Sequence, residues 1–254
     1  FFILFCCLLI VYKKKKENIN IVIFEFKRKK KTLLSNFSKT EKAYVLIIFT
    51  FLFLLFLQGI LYPPNNWDSL TYHMSRIMYW IGNESVNHFP SHVLRHLYQP
   101  PFTEYVIMNI NLLNGNDYFS NSVQWLFLVF SIFPFWLILG KFKISRFYKL
   151  IGVFVFITIP SLELQASTTK NDIVCGFFIL STLYLAIKSY SDSTLKNFIL
   201  LGLSIGLGML TKGTAYLFLF PIMLLFFGFI LHKIIRNKKT NILLYGVLSL
   251  ILLI

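Results

Sequence analysis

The sequence holds 254 residues, of which 56% are hydrophobic and only 14% charged, with 29 phenylalanines and a formal net charge of +15. A soluble domain carries roughly a quarter charged residues, and here the apolar residues form long unbroken runs, so an ordinary soluble globule is excluded and an all-α, multi-pass integral membrane protein is indicated. The positive charge does not point to nucleic acid, because the basic residues cluster between apolar runs as topology determinants do, and the three cysteines form no disulfide or metal pattern.

In chain order, residues 1–12 are too short an apolar run to cross a bilayer and read as the end of a truncated helix. Residues 243–254 stop in mid-run, so both ends are expected to continue into a longer protein. Residues 13–42 make a basic cytoplasmic loop, and a transmembrane domain is expected over 43–254. Spans are predicted at 43–62, 123–139, 173–187 and 214–231, with short apolar runs at 149–160 and 198–210 and a last span from about residue 241. Spans of about 20 residues are the norm, so the short runs read as tilted partners or incompletely inserted segments.

The basic residues sort by side. Segment 13–42 holds eleven Lys and Arg; loops on the same side add Lys141, Lys143, Arg146, Lys149, Lys188, Lys196, Lys233, Arg236, Lys238 and Lys239, for 21 in all. The opposite side has four, Arg76, Arg95, Lys170 and Lys212. A bias that alternates with every span puts the rich side in the cytosol. Six of the ten acidic residues, Asp68, Glu84, Glu104, Asp117, Glu163 and Asp172, fall on the other side. Carboxylates hardly influence orientation, so their gathering invites a chemical reading.

The longest polar segment, the outer loop 63–122, exceeds any ordinary connector. Its tyrosines and tryptophans suit an interfacial position. After Pro63 and Pro64, Asn66 is placed to cap a helix running to about Gly82. Leu70, Met74, Ile77 and Ile81 form one apolar stripe, while Asp68, Thr71, Tyr72, Ser75, Arg76 and Tyr79 fall on the neighbouring polar face. Such a helix is expected to lie in the membrane surface with its polar face roofing a cavity; equally, it is a surface helix packed on the bundle.

Several residues there suit chemistry. Asp68 is either a first-turn carboxylate favoured by the helix dipole or a general base at the mouth of a partly dry cavity. Asp172, where the chain re-enters the membrane, is another helix-start carboxylate, a partner for Lys170, or a second acid facing the same cavity. Lys212 lies between two apolar runs on the cation-poor side. A lysine at the bilayer centre costs about 2.5–3.5 kcal/mol, so such residues snorkel, pair or act. Lys212, Arg76 and Arg95 are candidate phosphate ligands, and Tyr72, His73 and Glu104 are further outer-cavity candidates. His92 and His96 at i, i+4 give only a weak metal pattern. Gly202, Gly206 and Gly208 read as close-packing positions, since no strand precedes them and no nucleotide fingerprint is present.

Taken together, the segments Trp67-Asp68-Ser69-Leu70-Thr71-Tyr72-His73, Met78-Tyr79-Trp80, Gln99-Pro100-Pro101-Phe102-Thr103-Glu104-Tyr105, Ala166-Ser167-Thr168-Thr169-Lys170-Asn171-Asp172 and Gly206-Leu207-Gly208-Met209-Leu210-Thr211-Lys212-Gly213-Thr214 resemble the ordered motifs of GT-C-fold membrane glycosyltransferases. The nearest likeness is to the family 39-like group of protein mannosyltransferases and aminoarabinose transferases, with bacterial members. The resemblance implies a transmembrane helix bundle that moves a sugar from a polyprenyl-phosphate donor to a glycan, lipid or protein acceptor at the outer face of a bacterial cytoplasmic membrane. It further implies that Asp68 is the catalytic base, Asp172 a second acid and Lys212 a contact for the donor phosphate. It leaves a divalent metal open. Protein mannosyltransferases proper carry an acidic pair in the first loop, whereas Ser69 follows Asp68 here, which speaks against assigning mannose or a protein acceptor.

Two other function classes stand beside this one. A lipid-glycan transporter or flippase would need ionisable residues deep in several spans, and most spans here lack them. A non-catalytic membrane scaffold would keep the helices without needing the carboxylates.

Overall fold

Within a bilayer the backbone must satisfy its own polar groups, which a helix does within a single segment. The computed structural model describes residues 37–237 and position 246, and among these residues the regular structure is helical. The expected truncated helix 1–12, most of the basic loop 13–42 and the expected span from about residue 241 lie outside the described residues.

The chain divides into two units, 1–47 and 48–254. In the first unit, Ser38 and Glu41 form a capping box: the Glu41 N–H donates to Ser38 Oγ at 3.2 Å and the Ser38 N–H to Glu41 Oε2 at 2.8 Å. This opens α1 (Lys39–Leu61), an uninterrupted 23-residue helix.

In the second unit a π-helical turn (Ser69–His73) leads into α2 (Met74–Gly82), followed by a single turn, α3 (Arg95–Tyr98). Helix α4 (Phe102–Asn114) ends at Gly115, whose φ of 72° is the left-handed conformation that a helix stop requires. Then come α5 (Ser122–Lys141), α6 (Arg146–Ile157), α7 (Pro160–Ala166), α8 (Asp172–Ser191), α9 (Leu195–Thr211) and α10 (Ala215–Asn237). Among the described residues α1, α5, α8 and α10 are long and apolar enough to cross a membrane. They coincide with the spans predicted at 43–62, 123–139, 173–187 and 214–231.

The two short runs resolve differently. Run 149–160 becomes the bent pair α6–α7, turned by 65°. Ile159 is extended (φ −61°, ψ 122°), as a residue before proline prefers, and Pro160 opens the next helix where its missing N–H costs nothing. Run 198–210 is the 17-residue α9.

Helix α8 is the hub, packing on α5, α9 and α10. Against α9 the Ser204 hydroxyl donates to the Phe178 carbonyl at 3.0 Å, and Thr182 donates to Ser204 at 3.1 Å. A Cβ added at Gly208 would meet the Phe178 Cβ at 3.2 Å, so Gly208 permits the close approach.

Three side-chain amides then fix one end of this unit. Asn121 Nδ2 donates to the carbonyls of Gly59 (3.2 Å) and Tyr62 (3.0 Å), joining the end of α1 to the start of α5. The buried Gln124 accepts the Ile173 N–H at 2.8 Å, meeting a donor that the first turn of α8 leaves open. Asn171 Nδ2 donates to the Thr211 carbonyl at 3.0 Å, holding the start of α8 against the end of α9. Loop 62–121, loop 167–171 and the 212–214 turn thereby meet at one end of the bundle.

Candidate active site

Asp68 precedes the π-helical turn and is held by local bonds. Asn66 Oδ1 accepts the Ser69 N–H at 2.9 Å, which makes Asn66 the cap expected of it, and the Thr71 hydroxyl donates to the Trp67 carbonyl at 2.7 Å. The π turn shifts the register of the residues after it. Met74 and Ile77 are buried as the stripe predicts, but Leu70 is 57% exposed, while Tyr72 and Arg76 of the expected open polar side are buried, as is His73 beside them. The segment is therefore not a simple amphipathic roof: π-helical widening turns part of its polar face into the protein.

Two cations hold the Asp68 carboxylate. Arg95, on α3, donates to Oδ1 at 2.9 Å, and the Lys170 ammonium, from the loop between α7 and α8, lies 3.3 Å from Oδ2. Partial burial raises the Asp68 pKa, but Lys170 and Arg95 together outweigh it and hold the carboxyl below its ordinary value. The group stays accessible, with 33% of its side chain exposed.

Tyr72 joins this cluster to a second one. Its ring lies under the Arg95 guanidinium at 5.3 Å. Burial and the nearby carboxylates of Asp68, Glu104 and Asp172 push the phenol well above its usual pKa, with Arg95 acting in the opposite sense. Tyr72 thus remains protonated at neutral pH, within electrostatic reach of all three acids. Asp172, the first residue of α8, pairs with Lys212, which directly succeeds the last turn of α9. The arrangement presents two carboxylates, Asp68 and Asp172, against three cations, Arg95, Lys170 and Lys212.

Beneath this surface lies a different pair. His73 Nδ1 and Glu104 Oε1 are 2.8 Å apart, and both side chains are fully buried, with no hydrogen-bond partner for His73 Nε2 or Glu104 Oε2 among the described residues. The His73 ring sits 3.9 Å from that of Tyr72. Arg76 is only 3% exposed; it donates to the Gln99 carbonyl at 2.8 Å and lies over the Trp80 ring at 4.6 Å. Unlike Arg95, the other arginine named as a candidate phosphate ligand, Arg76 ties α2 to the segment before α4 through its guanidinium. Burial lowers its pKa, with Glu104 acting in the opposite sense.

Of the two histidines in the weak metal pattern, His96 is engaged by hydroxyl groups. His96 is buried, with Nε2 2.9 Å from the Ser75 hydroxyl and Nδ1 2.7 Å from that of Ser91. Burial lowers its pKa despite the nearby Thr71 carbonyl. Among the described residues no three His, Cys, Asp or Glu side chains form a group suited to a metal ion.

Of the residues singled out in the sequence, Asp68, Arg95 and Tyr72 come together, Asp172 and Lys212 pair beside them, and His73 and Glu104 pair beneath. Lys170 is the residue that sequence reasoning misses, since its neighbours suggest only a partnership with Asp172. The pairing with Asp68 spans 102 positions and leaves no local trace, although a lysine on the cation-poor side is itself a signal.

Residues 98–254 match the family model described as dolichyl-phosphate-mannose-protein mannosyltransferase. Glu104, Lys170, Asp172 and Lys212 fall inside that stretch, while Asp68, Tyr72 and Arg95 precede it. Over 153 residues the chain is 29% identical to an undecaprenyl phosphate-alpha-4-amino-4-deoxy-L-arabinose arabinosyl transferase of Wigglesworthia glossinidia brevipalpis. That similarity covers 57% of this chain and 26% of the relative, so the chain spans about a quarter of the relative's length. No solved structure matches the chain.

Proposed function

Since the chain belongs to the dolichyl-phosphate-mannose-protein mannosyltransferase family of membrane glycosyltransferases, we propose that it takes part in transferring a sugar from a polyprenyl-phosphate donor to an acceptor at the non-cytoplasmic face of the membrane. The donor class is supported by the names of the family and of the arabinosyl transferase relative, both of which carry a polyprenyl phosphate. The outward orientation is supported by the split of 21 basic residues against four.

The observation that carries the reading is the gathering of Asp68 and Asp172 with Arg95, Lys170 and Lys212 at one end of an apolar bundle. There the lipid tail stays in the bilayer while its phosphate-sugar reaches polar side chains. Asp68 accepts the proton of the acceptor nucleophile as that atom attacks the anomeric carbon. The bond from carbon to phosphate oxygen breaks, and its electron pair goes to the phosphate. Cations aimed at that growing charge lower the barrier. Lys212 and Arg95 are the phosphate ligands of this scheme, and Asp172 is the second acid, holding Lys212 in place.

The test is transfer from labelled polyprenyl-phosphate sugars in membranes containing the full-length protein or its Asp68→Asn variant. A positioned general base contributes about 10²–10⁴-fold, so the variant should lose activity on that scale at unchanged abundance and insertion. Equal transfer by both proteins would remove Asp68 from the mechanism.

A further inference from the structure

We infer that Lys170 is a ligand of the donor phosphate that rests on Asp68 in the free protein and is taken over by the phosphate when the donor binds. The inference rests on the polyprenyl-phosphate donor proposed above. Its basis is the geometry around Asp68, whose oxygens are held separately, Oδ1 by Arg95 at 2.9 Å and Oδ2 by Lys170 at 3.3 Å. A base clasped on both sides by cations is poorly disposed to take a proton from an incoming nucleophile. One cation has to leave Oδ2 or Oδ1 before it works.

The two cations differ in how firmly they are held. Arg95 has a second anchor in the Tyr72 ring, and with Nη1 on Asp68 its remaining N–H groups can meet the phosphate without releasing the carboxylate. Among the described residues Asp68 is the one carboxylate on Lys170, whose ammonium sits at the end of a flexible four-carbon stem. The backbone from which that stem springs is fixed: the next residue, Asn171, is buried and bonded to the Thr211 carbonyl. Lys170 also stands two residues before Asp172, so both side chains spring from the start of α8. Rotation about the bonds of the stem moves the ammonium off Asp68 without moving a helix.

The charge count suits such a residue. Three cations face two carboxylates, a surplus of one positive charge, and a sugar phosphodiester brings one negative charge. During transfer the nucleophile's proton neutralises Asp68, and the broken carbon–oxygen bond leaves its electron pair on the phosphate, which gains a second negative charge. One negative charge has thus moved from Asp68 to the phosphate. Lys170, having passed from Asp68 to the phosphate when the donor binds, already stands where that charge arrives. The groups facing Asp68 are Arg95 from α3, Lys170 from the α7–α8 loop and Tyr72 from its own segment.

The experiment uses the full-length protein in lipid nanodiscs, with undecaprenyl monophosphate as the binding probe and a polyprenyl-phosphate sugar as the donor. Losing one charge-assisted contact corresponds to about a ten- to hundredfold change. Lys170→Met should weaken probe binding and raise the donor KM on that scale, with a smaller change in kcat, and Lys170→Arg should restore most of both. A residue that only supported the fold would lower folded yield or kcat without this split. Probe binding and donor KM in Lys170→Met equal to those of the parent would overturn the inference while leaving the transferase reading intact. Weakened probe binding in a protein that transfers no sugar would uphold Lys170 as a phosphate ligand and overturn the transferase reading. A parent that binds no probe would overturn both.

Discussion

Asp68 and His73 are five residues apart in sequence and each meets an oppositely charged or chargeable partner, yet water treats them differently. The Asp68 carboxylate is open, and its cations come from side chains that are themselves 27% and 50% exposed. His73 and Glu104 are sealed, with one nitrogen and one oxygen left without a partner among the described residues. Exposed pairs are worth little and exchange readily, whereas a sealed polar pair is costly to break because either partner alone is left desolvated. The open pairs are suited to chemistry and the closed pair to architecture: His73 and Glu104 clamp the π-helical turn to α4 and so set where Tyr72 and Asp68 point.

This contrast is open to test in the full-length protein. The largest stability effect is expected at the sealed pair: Glu104→Ala should cost about 2–5 kcal/mol, measured by thermal or denaturant unfolding in detergent, while Glu104→Gln, which keeps an acceptor for His73, should cost clearly less. Equal losses would show that the hydrogen bond is not what matters there. Gln124→Ala removes the acceptor for the Ile173 N–H at the start of α8 and should cost about 1–3 kcal/mol. It should also lower activity, because Asp172 is the residue that this helix start carries.

Smaller still is the expected effect at the open cluster. Arg95→Ala should change stability by no more than about 1 kcal/mol while weakening donor binding by roughly tenfold or more; a large loss of stability would place Arg95 with the architecture instead. The smallest effect is in pH. Because the folded Asp68 titrates below its ordinary value, its stabilising contribution is complete above the unfolded pKa near 3.9 and is lost as pH falls through the folded value. The stability difference between the parent and Asp68→Asn should therefore be flat above about pH 5 and shrink only below about pH 4. A difference that changed near neutrality would contradict the two-cation clasp.

The spans are legible in the sequence because bilayer length and hydropathy act locally. Residues 43–62 need no partner to be read as a helix, and Asn66 announces its cap by position. The motif Trp67-Asp68 draws notice through its place just after a predicted span, although the helix dipole alone favours a carboxylate at a helix start. The hidden features are long-range or depend on register. Nothing near Ser69 marks a π turn, so a polar face read at ideal helical spacing leaves Arg76 outside. The partners of Lys170 and Glu104 lie 102 and 31 positions away. Gln124 reads as an ordinary polar interruption in an apolar run until Ile173 is placed beside it.

The three amide contacts at the site end have a consequence for the order of assembly. Asn121 waits on Gly59 across 62 positions, Gln124 on Ile173 across 49, and Asn171 on Thr211 across 40. Contacts between distant positions form late, since loop closure precedes any reward. During synthesis the first two join as α5 and then α8 arrive, but the last requires α9 to be inserted through Thr211. Until then Lys212 is absent and Asp172 lacks its counter-ion. A nascent chain that stops short of Thr211 therefore lacks both the Asn171 contact and the Lys212–Asp172 pair.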